Sequence, residues 1–146
     1  MAHDTTFSEP DFQQFFSDKA RAFSQGNFDA VVDALGVPTP VYVLDNLLVV
    51  SSLSDASGML GIYHGNLLKL GYAHTQTELK SLACLGRERV KATAISTHFD
   101  AGGAVLSSFE VEYYLRAQGK LCTWQIDMIA TFSPPLNGVL DGLPLI

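Results

Sequence analysis

FEVEYYLRAQGKLCTWQIDMIATF, residues 109–132, is the stretch on which the fold reading turns. In its first half Phe109, Val111, Tyr113 and Leu115 alternate with Glu110, Glu112, Tyr114 and Arg116, the period-two pattern of a strand with one buried face. Gln118-Gly119-Lys120 marks a turn. Beyond it Cys122, Trp124, Ile126, Met128, Ala130 and Phe132 share one face, and Thr123, Gln125, Asp127, Ile129 and Thr131 share the other. The first set reads as the interior face.

The same period runs upstream. Strands are expected near 78–85, 88–99, 104–117 and 121–132, separated by Gly86-Arg87, Asp100-Ala101-Gly102-Gly103 and the Gly119 turn, which makes 78–132 an antiparallel meander. In the 88–99 strand Val90, Ala92, Ala94, Ser96 and His98 form a face of small residues, opposite Lys91, Thr93, Ile95, Thr97 and Phe99. Small side chains facing a helix leave space for a cavity.

Before residue 76 the period is helical. Residues 8–36 read as a helical opening. Ser8 with Asp11 starts a helix whose Phe12, Phe15, Phe16 and Phe23 recur on one face, and Gly26 stops it. Asn27 caps a second helix, FDAVVDAL, with an apolar stripe of Phe28, Val31, Val32 and Leu35 that ends at Gly36 and Pro38. Residues 41–51 form a hairpin, VYVL and LLVV around Asp45-Asn46. A third helix is expected over 54–72, started by Ser52 or Ser54 with Asp55 and striped by Met59, Leu60, Tyr63, Leu67 and Leu70. The tail, 134–146, is apolar but interrupted by Pro134, Pro135 and Pro144, and is expected to lie irregularly in a groove of its own or a neighbouring chain.

Composition bounds the function classes. A chain of 146 residues is one domain and hides about 70% of its unfolded surface. It is 47% hydrophobic and only 16% charged, which points to a homodimer through the outer sheet face, where the alternation puts Ile95, Phe99, Tyr114 and Ile129. The formal net charge of −6 repels phosphate backbones. Arg87, Arg89 and Lys91, interleaved with Glu88, read as a solvated strand edge, so no nucleic-acid partner is expected. Cys84 and Cys122 are far apart in apolar segments and read as structural thiols. The chain shows neither a secretory leader nor a run near the ~20 apolar residues of a membrane span, so a cytoplasmic protein without a membrane partner is expected. His3, His64, His74 and His98 have no HxH or HExxH spacing, and GxSxG, GxGxxG and GxxxxGK[ST] are missing; neither a metal nor a cofactor is expected.

The order helix, helix, hairpin, helix, meander resembles the NTF2-like superfamily, which includes SnoaL-like polyketide cyclases and ketosteroid isomerases. The residues that carry the resemblance are AFSQGNFDAVVDAL at 22–35, PTPVYVLDN at 38–46 and the two late strands at 109–132, so that it spans roughly 10–133. It implies an α+β domain, a cone-shaped, curved and mostly antiparallel sheet wrapped around three helices, with an apolar cavity at the open end. The superfamily holds enzymes and pure binding modules, so the fold does not choose between them. Acidic side chains on cone strands transfer protons in the isomerases; here the alternation puts Asp127 on the polar face.

Several polar groups fall inside this apolar shell: His98, Ser96, Tyr113 and Trp124, with Tyr42 from the hairpin and His64 from the third helix, beside Met128 on the last strand. A few convergent polar groups in an apolar wall are the usual form of a small-molecule site. They can equally satisfy one another in a closed core. Two function classes follow. One is proton transfer of the isomerase, dehydratase or cyclase kind on a small apolar molecule, with His98 as catalytic base or acid and Tyr113 or Tyr42 orienting an oxygen. The other is non-catalytic: a small apolar ligand held in the cone by Tyr42, His64, Tyr113, Trp124 and Met128, or another protein paired through the sheet face.

Overall fold

The computed structural model describes residues 9–118 and 123–132. Helix α1, Glu9–Ser24, turns Phe12, Phe16, Ala20 and Phe23 inward as the phenylalanine spacing requires, and it ends where Gly26 takes a positive φ of 76°. Asn27 caps α2 by accepting from the Ala30 N–H, but α2 is only Phe28–Val32, shorter than the FDAVVDAL stripe. Tertiary pairing ends it early. The Gly36 N–H donates to the Ile126 C=O at 2.9 Å, and the Ile126 N–H donates to the Ala34 C=O at 2.7 Å, so Leu35 is drawn against the last strand instead of continuing the helix. A Cβ at 36 would meet the Gln125 side chain at 2.1 Å, so glycine here lets that side chain lie against the backbone.

Strands β1, Thr39–Val43, and β2, Asn46–Val50, form the hairpin. Its turn lies one residue earlier than the Asp45-Asn46 pair suggests, at Leu44-Asp45, with Leu44 at a φ of 54°. Ser52 caps α3, Leu53–Leu68, accepting from the Asp55 N–H at 3.0 Å. This helix stops short of 72 because Gly71, with a φ of 91°, turns the chain into β3, Tyr72–Cys84, which therefore starts before 78. Strands β4, Arg89–Asp100, β5, Val105–Gln118, and β6, Thr123–Thr131, complete the meander.

The six strands form one sheet in the order β2-β1-β6-β5-β4-β3, antiparallel except where β1 runs parallel to β6. Register shifts interrupt the ladders at Leu79/Ser81, His98/Phe99 and Tyr114/Leu115. An extra residue at each shift bends and twists the strand, which is how a sheet curls around helices instead of lying flat. The concave side holds the core: Phe12, Phe16 and Phe23 of α1, Leu60, Tyr63 and Leu67 of α3, and Val90, Ala92, Ala94, Val111 and Leu115 of the meander.

The third shift corrects the expected faces of the last strand. Tyr114 pairs with Met128 and Leu115 with Ile126, so Asp127 has no opposite residue and the alternation inverts past it. Ile126 points inward as expected, yet Ile129 and Thr131 are then buried, and Met128 lies outside beside Leu85, Arg89 and Tyr114. Met128 is thus not on the inner face, and Ile129 is not available to an outer interface. Tyr42 is also outside, 41% exposed, because Val41 and Val43 take the inward positions of β1. Cys84 is exposed at the end of β3 rather than packed. Cys122 and the tail lie outside the described residues.

The inversion has a direct check. Ile129→Ala is expected to cost about 2–5 kcal/mol and Met128→Ala well under that. Urea unfolding of the two variants measures it; equal losses would mean strict alternation holds through Asp127.

Candidate functional site

His98 sits at the end of the small-residue face of β4, fully buried against Phe23, Tyr63, Tyr72 and Phe109. Both ring nitrogens are engaged: Nε2 lies 3.1 Å from the Tyr63 hydroxyl and Nδ1 lies 2.7 Å from Thr75 Oγ1. From Thr75 the chain of hydroxyls continues to Tyr72 at 2.5 Å and on to Ser24 at 3.2 Å. Ser24 donates its own proton to the Ala20 C=O at 2.9 Å and accepts from the Thr75 N–H at 2.9 Å.

That anchor sets the direction of every bond. With the Ser24 proton committed to Ala20, Tyr72 must be the donor to Ser24, Thr75 the donor to Tyr72, and His98 Nδ1–H the donor to Thr75. Nε2 is then the acceptor from Tyr63. The result is one neutral tautomer with each contact satisfied. Burial first, and the nearby His64 as a like charge second, lower the His98 pKa to about 3. Burial likewise raises the Tyr72 phenol, against the hydrogen bonds it shares with Ser24 and Thr75, which lower it.

His64 lies on the neighbouring turn of α3, half-buried, edge-on to Phe23, Phe28 and Tyr72. Burial lowers its pKa, opposed by a hydrogen bond to the Ser24 backbone. Tyr113 is elsewhere. Its ring packs on Phe16 at 4.7 Å, burial raises its phenol, and it borders a small cavity with Phe15, Val31, Leu35, Ile126 and Ile129. Lys19 covers this cavity, held by the Asp33 carboxylate and by the Ala30 C=O at 2.8 Å, with Nζ 5.3 Å from the centre of the Phe15 ring. The space left is about 10 Å³, room for a single water. Phenylalanines of α1 fill the volume that Ala92, Ala94 and Ser96 leave.

The expected site residues thus separate. His98 and His64 belong to one aromatic and hydroxyl cluster, Tyr113 to the cone cavity, and Trp124 packs half-buried on Phe12 at 4.9 Å. Tyr42 and Met128 are on the opposite face of the sheet. Sequence reasoning passes over Tyr72 and Thr75 because it starts the strand after them, and over Ser24 because the inward face of α1 is read from its phenylalanines alone. Extending the alternation back through Thr77 and Thr75 would have placed those hydroxyls on the inner face.

A larger space opens on the other side of α1. There α1 and the edge strand β3 enclose a groove of about 590 Å³, lined by Gln13, Ser17, Arg21, Ser24, His74 and Gln76 among others. Volumes of roughly 300–1,000 Å³ hold small molecules. The groove reaches Ser24 and Thr75, the outer end of the His98 chain. Among the described residues no group of His, Cys, Asp and Glu side chains is placed to hold a metal ion, and no helix is long and apolar enough to cross a membrane.

The family described as NTF2-like protein (DUF6841) matches residues 8–134. The chain belongs to this NTF2-like family. Its fold is shared by solved structures of low identity. A domain of unknown function with a cystatin-like fold from Nostoc punctiforme superposes with a TM-score of 0.70 at 10% identity, over 88% of this chain and 78% of that one. An NTF2-like protein of unknown function from Shewanella oneidensis gives 0.64 at 12% identity, over 84% and 97%. A ketosteroid isomerase-like protein from Erwinia carotovora gives 0.59 at 13% identity, over 87% and 98%. No curated protein matches the sequence. These likenesses establish the fold of this NTF2-like domain and leave its function to its own residues.

Proposed function

We propose that this NTF2-like domain is a small-molecule-binding module whose ligand occupies the groove between α1 and β3, with the packed cone as its scaffold. The observation that carries this reading is the state of His98: it is fully buried, both ring nitrogens are bonded within the protein, and it is held neutral. A general base must come within hydrogen-bond reach of a substrate proton, and Tyr63 and Thr75 occupy those positions. The groove has volume, polar lining and access.

Native mass spectrometry of freshly purified protein tests this. A co-purified small molecule is expected on the wild type and is expected to be lost in Ser17→Trp, which fills the groove from α1. Retention of the same mass by Ser17→Trp would sink the assignment. The same spectra read the assembly, for which we propose a homodimer through the outer sheet face. Tyr42, Leu47 and Val49 support it, large apolar side chains lying exposed on neighbouring strands.

A second reading, proton transfer, is favoured by one feature, the hydroxyl chain that links His98 to the groove through Thr75 and Ser24. It requires that ligand recovered after incubation with the protein in D₂O carry solvent deuterium on carbon. Unlabelled ligand would remove it.

A further inference from the structure

Strand β3 is the edge of the sheet, and its outward backbone groups are capped by side chains of α1. Ser24 Oγ accepts the Thr75 N–H at 2.9 Å, Gln13 Nε2 donates to the Thr77 C=O at 2.8 Å, and Gln13 Oε1 accepts the Leu79 N–H at 2.7 Å. In an antiparallel ladder a residue whose N–H points away from its partner strand points its C=O the same way. Thr75, Thr77 and Leu79 therefore all present their backbone to α1. Between the two caps remain the Thr75 C=O and the Thr77 N–H, flanking Gln76; neither has a hydrogen-bond partner among the described residues.

The groove lies over this pair. Thr75 and Thr77 line it, but their hydroxyls are turned inward to His98 and Ser96, so what they offer the groove is the backbone acceptor and donor. On α1 the groove-lining residues between Gln13 and Ser24 are Ser17, Ala20 and Arg21; the first two are too small to cover the pair, and Arg21 is exposed at the rim with its guanidinium 3.4 Å from Asp18. An added peptide strand is excluded by the same caps, since Gln13 and Ser24 hold the next bonding positions on either side. The rim carries Arg21 and Glu78, opposite charges, together with Gln25 and Gln76, which suits a neutral polar ligand.

We propose that the groove receives a small neutral molecule with two amide groups one carbon apart, an N-acyl amino amide, whose N–H donates to the Thr75 C=O while its acyl C=O accepts from the Thr77 N–H. The spacing follows from the strand itself: a C=O and an N–H flanking one residue are matched by an N–H and a C=O flanking one carbon. The inference rests on the groove being the binding site and names the class of molecule it takes.

The test is a titration of the full ¹⁵N-labelled chain with N-acetylalanine methylamide, followed in ¹H–¹⁵N correlation spectra, against N-acetylalanine methyl ester, which lacks the second N–H. The Thr77 amide is expected to move downfield and saturate with the diamide. The ester is expected to need roughly fivefold more for the same shift, the worth of one hydrogen bond. Ser17→Trp, whose own spectrum reports that it is folded, is expected to abolish both responses. Equal responses to diamide and ester, an unmoved Thr77 amide, or a response that survives in Ser17→Trp would each overturn the proposal. If Ser17→Trp loses a co-purified ligand while the diamide leaves Thr77 unmoved, the ligand class fails and the groove stands; if Ser17→Trp keeps that ligand and Thr77 also stays unmoved, the groove itself fails.

Discussion

Phe23→Ala is expected to lower the unfolding free energy by about 3–5 kcal/mol, the cost of emptying a large, enclosed aromatic site. Phe23 is fully buried and is the ring about which the interior is arranged. Its centroid lies 5.1 Å from His64, 5.7 Å from His98, 5.8 Å from Tyr72, 6.0 Å from Phe28 and 6.1 Å from Tyr63. These partners come from α2, α3, β3 and β4, so the cavity left by alanine cannot close by a shift of one element. Offset and edge-on ring pairs add to the area term. Phe15 is only partly buried on the same helix, and Phe15→Ala should cost less. Urea midpoints of the two variants decide it: a Phe23→Ala loss no larger than that of Phe15→Ala would mean the α1 face is rotated from the one described.

The second large effect is a dependence of stability on acid. In the unfolded chain an imidazole titrates near its ordinary value of 6.5, whereas burial holds folded His98 at about 3. Between those values the unfolded state binds the proton and the folded state does not, so stability is complete above pH 6.5 and declines as the pH falls towards 3. At about 1.4 kcal/mol per pH unit, the decline from pH 7 to pH 4 is on the order of 3 kcal/mol. His64, also lowered by burial, adds a loss of the same sign. In His98→Gln the overall stability at pH 7 should fall, because Tyr63 and Thr75 lose their partner, but the difference between pH 7 and pH 4 should shrink by about 3 kcal/mol. Carboxylates and His64 titrate in both proteins and cancel. Urea unfolding at the two pH values measures this; an unchanged difference would show that the ring is solvated in the folded state.

The long elements were legible because each is governed by a local period. The phenylalanines at 12, 15, 16 and 23, the Ser52 cap and the alternation from 88 to 117 each depend on residues a few positions apart, and the structure follows them. The same alternation turns Tyr113 inward and puts His98 on the inner face, and both side chains are buried there. The site was less legible. The groove needs Gln13 and Ser17 of α1 beside Thr75 and Thr77 of β3, residues about sixty positions apart whose meeting no local pattern encodes. Tyr63, His98, Thr75 and Ser24 join one hydrogen-bonded chain from four separate elements, and only the packed arrangement shows that His98 has no nitrogen left for a substrate.

By itself, then, the sequence determined the element order, the α+β class and the side of most strands that faces the helices, since hydrophobic periodicity acts over neighbours along the chain. Tertiary structure decided the rest. The bulge at Asp127 carried Met128 outward and Ile129 inward because β6 must satisfy β5 and, in parallel, β1 at once. Pairing with Ile126 cut α2 short, and three phenylalanines closed the cone that small residues on β4 had left open. Each of these outcomes is a competition between a local preference and a distant partner, and burial of the partner was worth more.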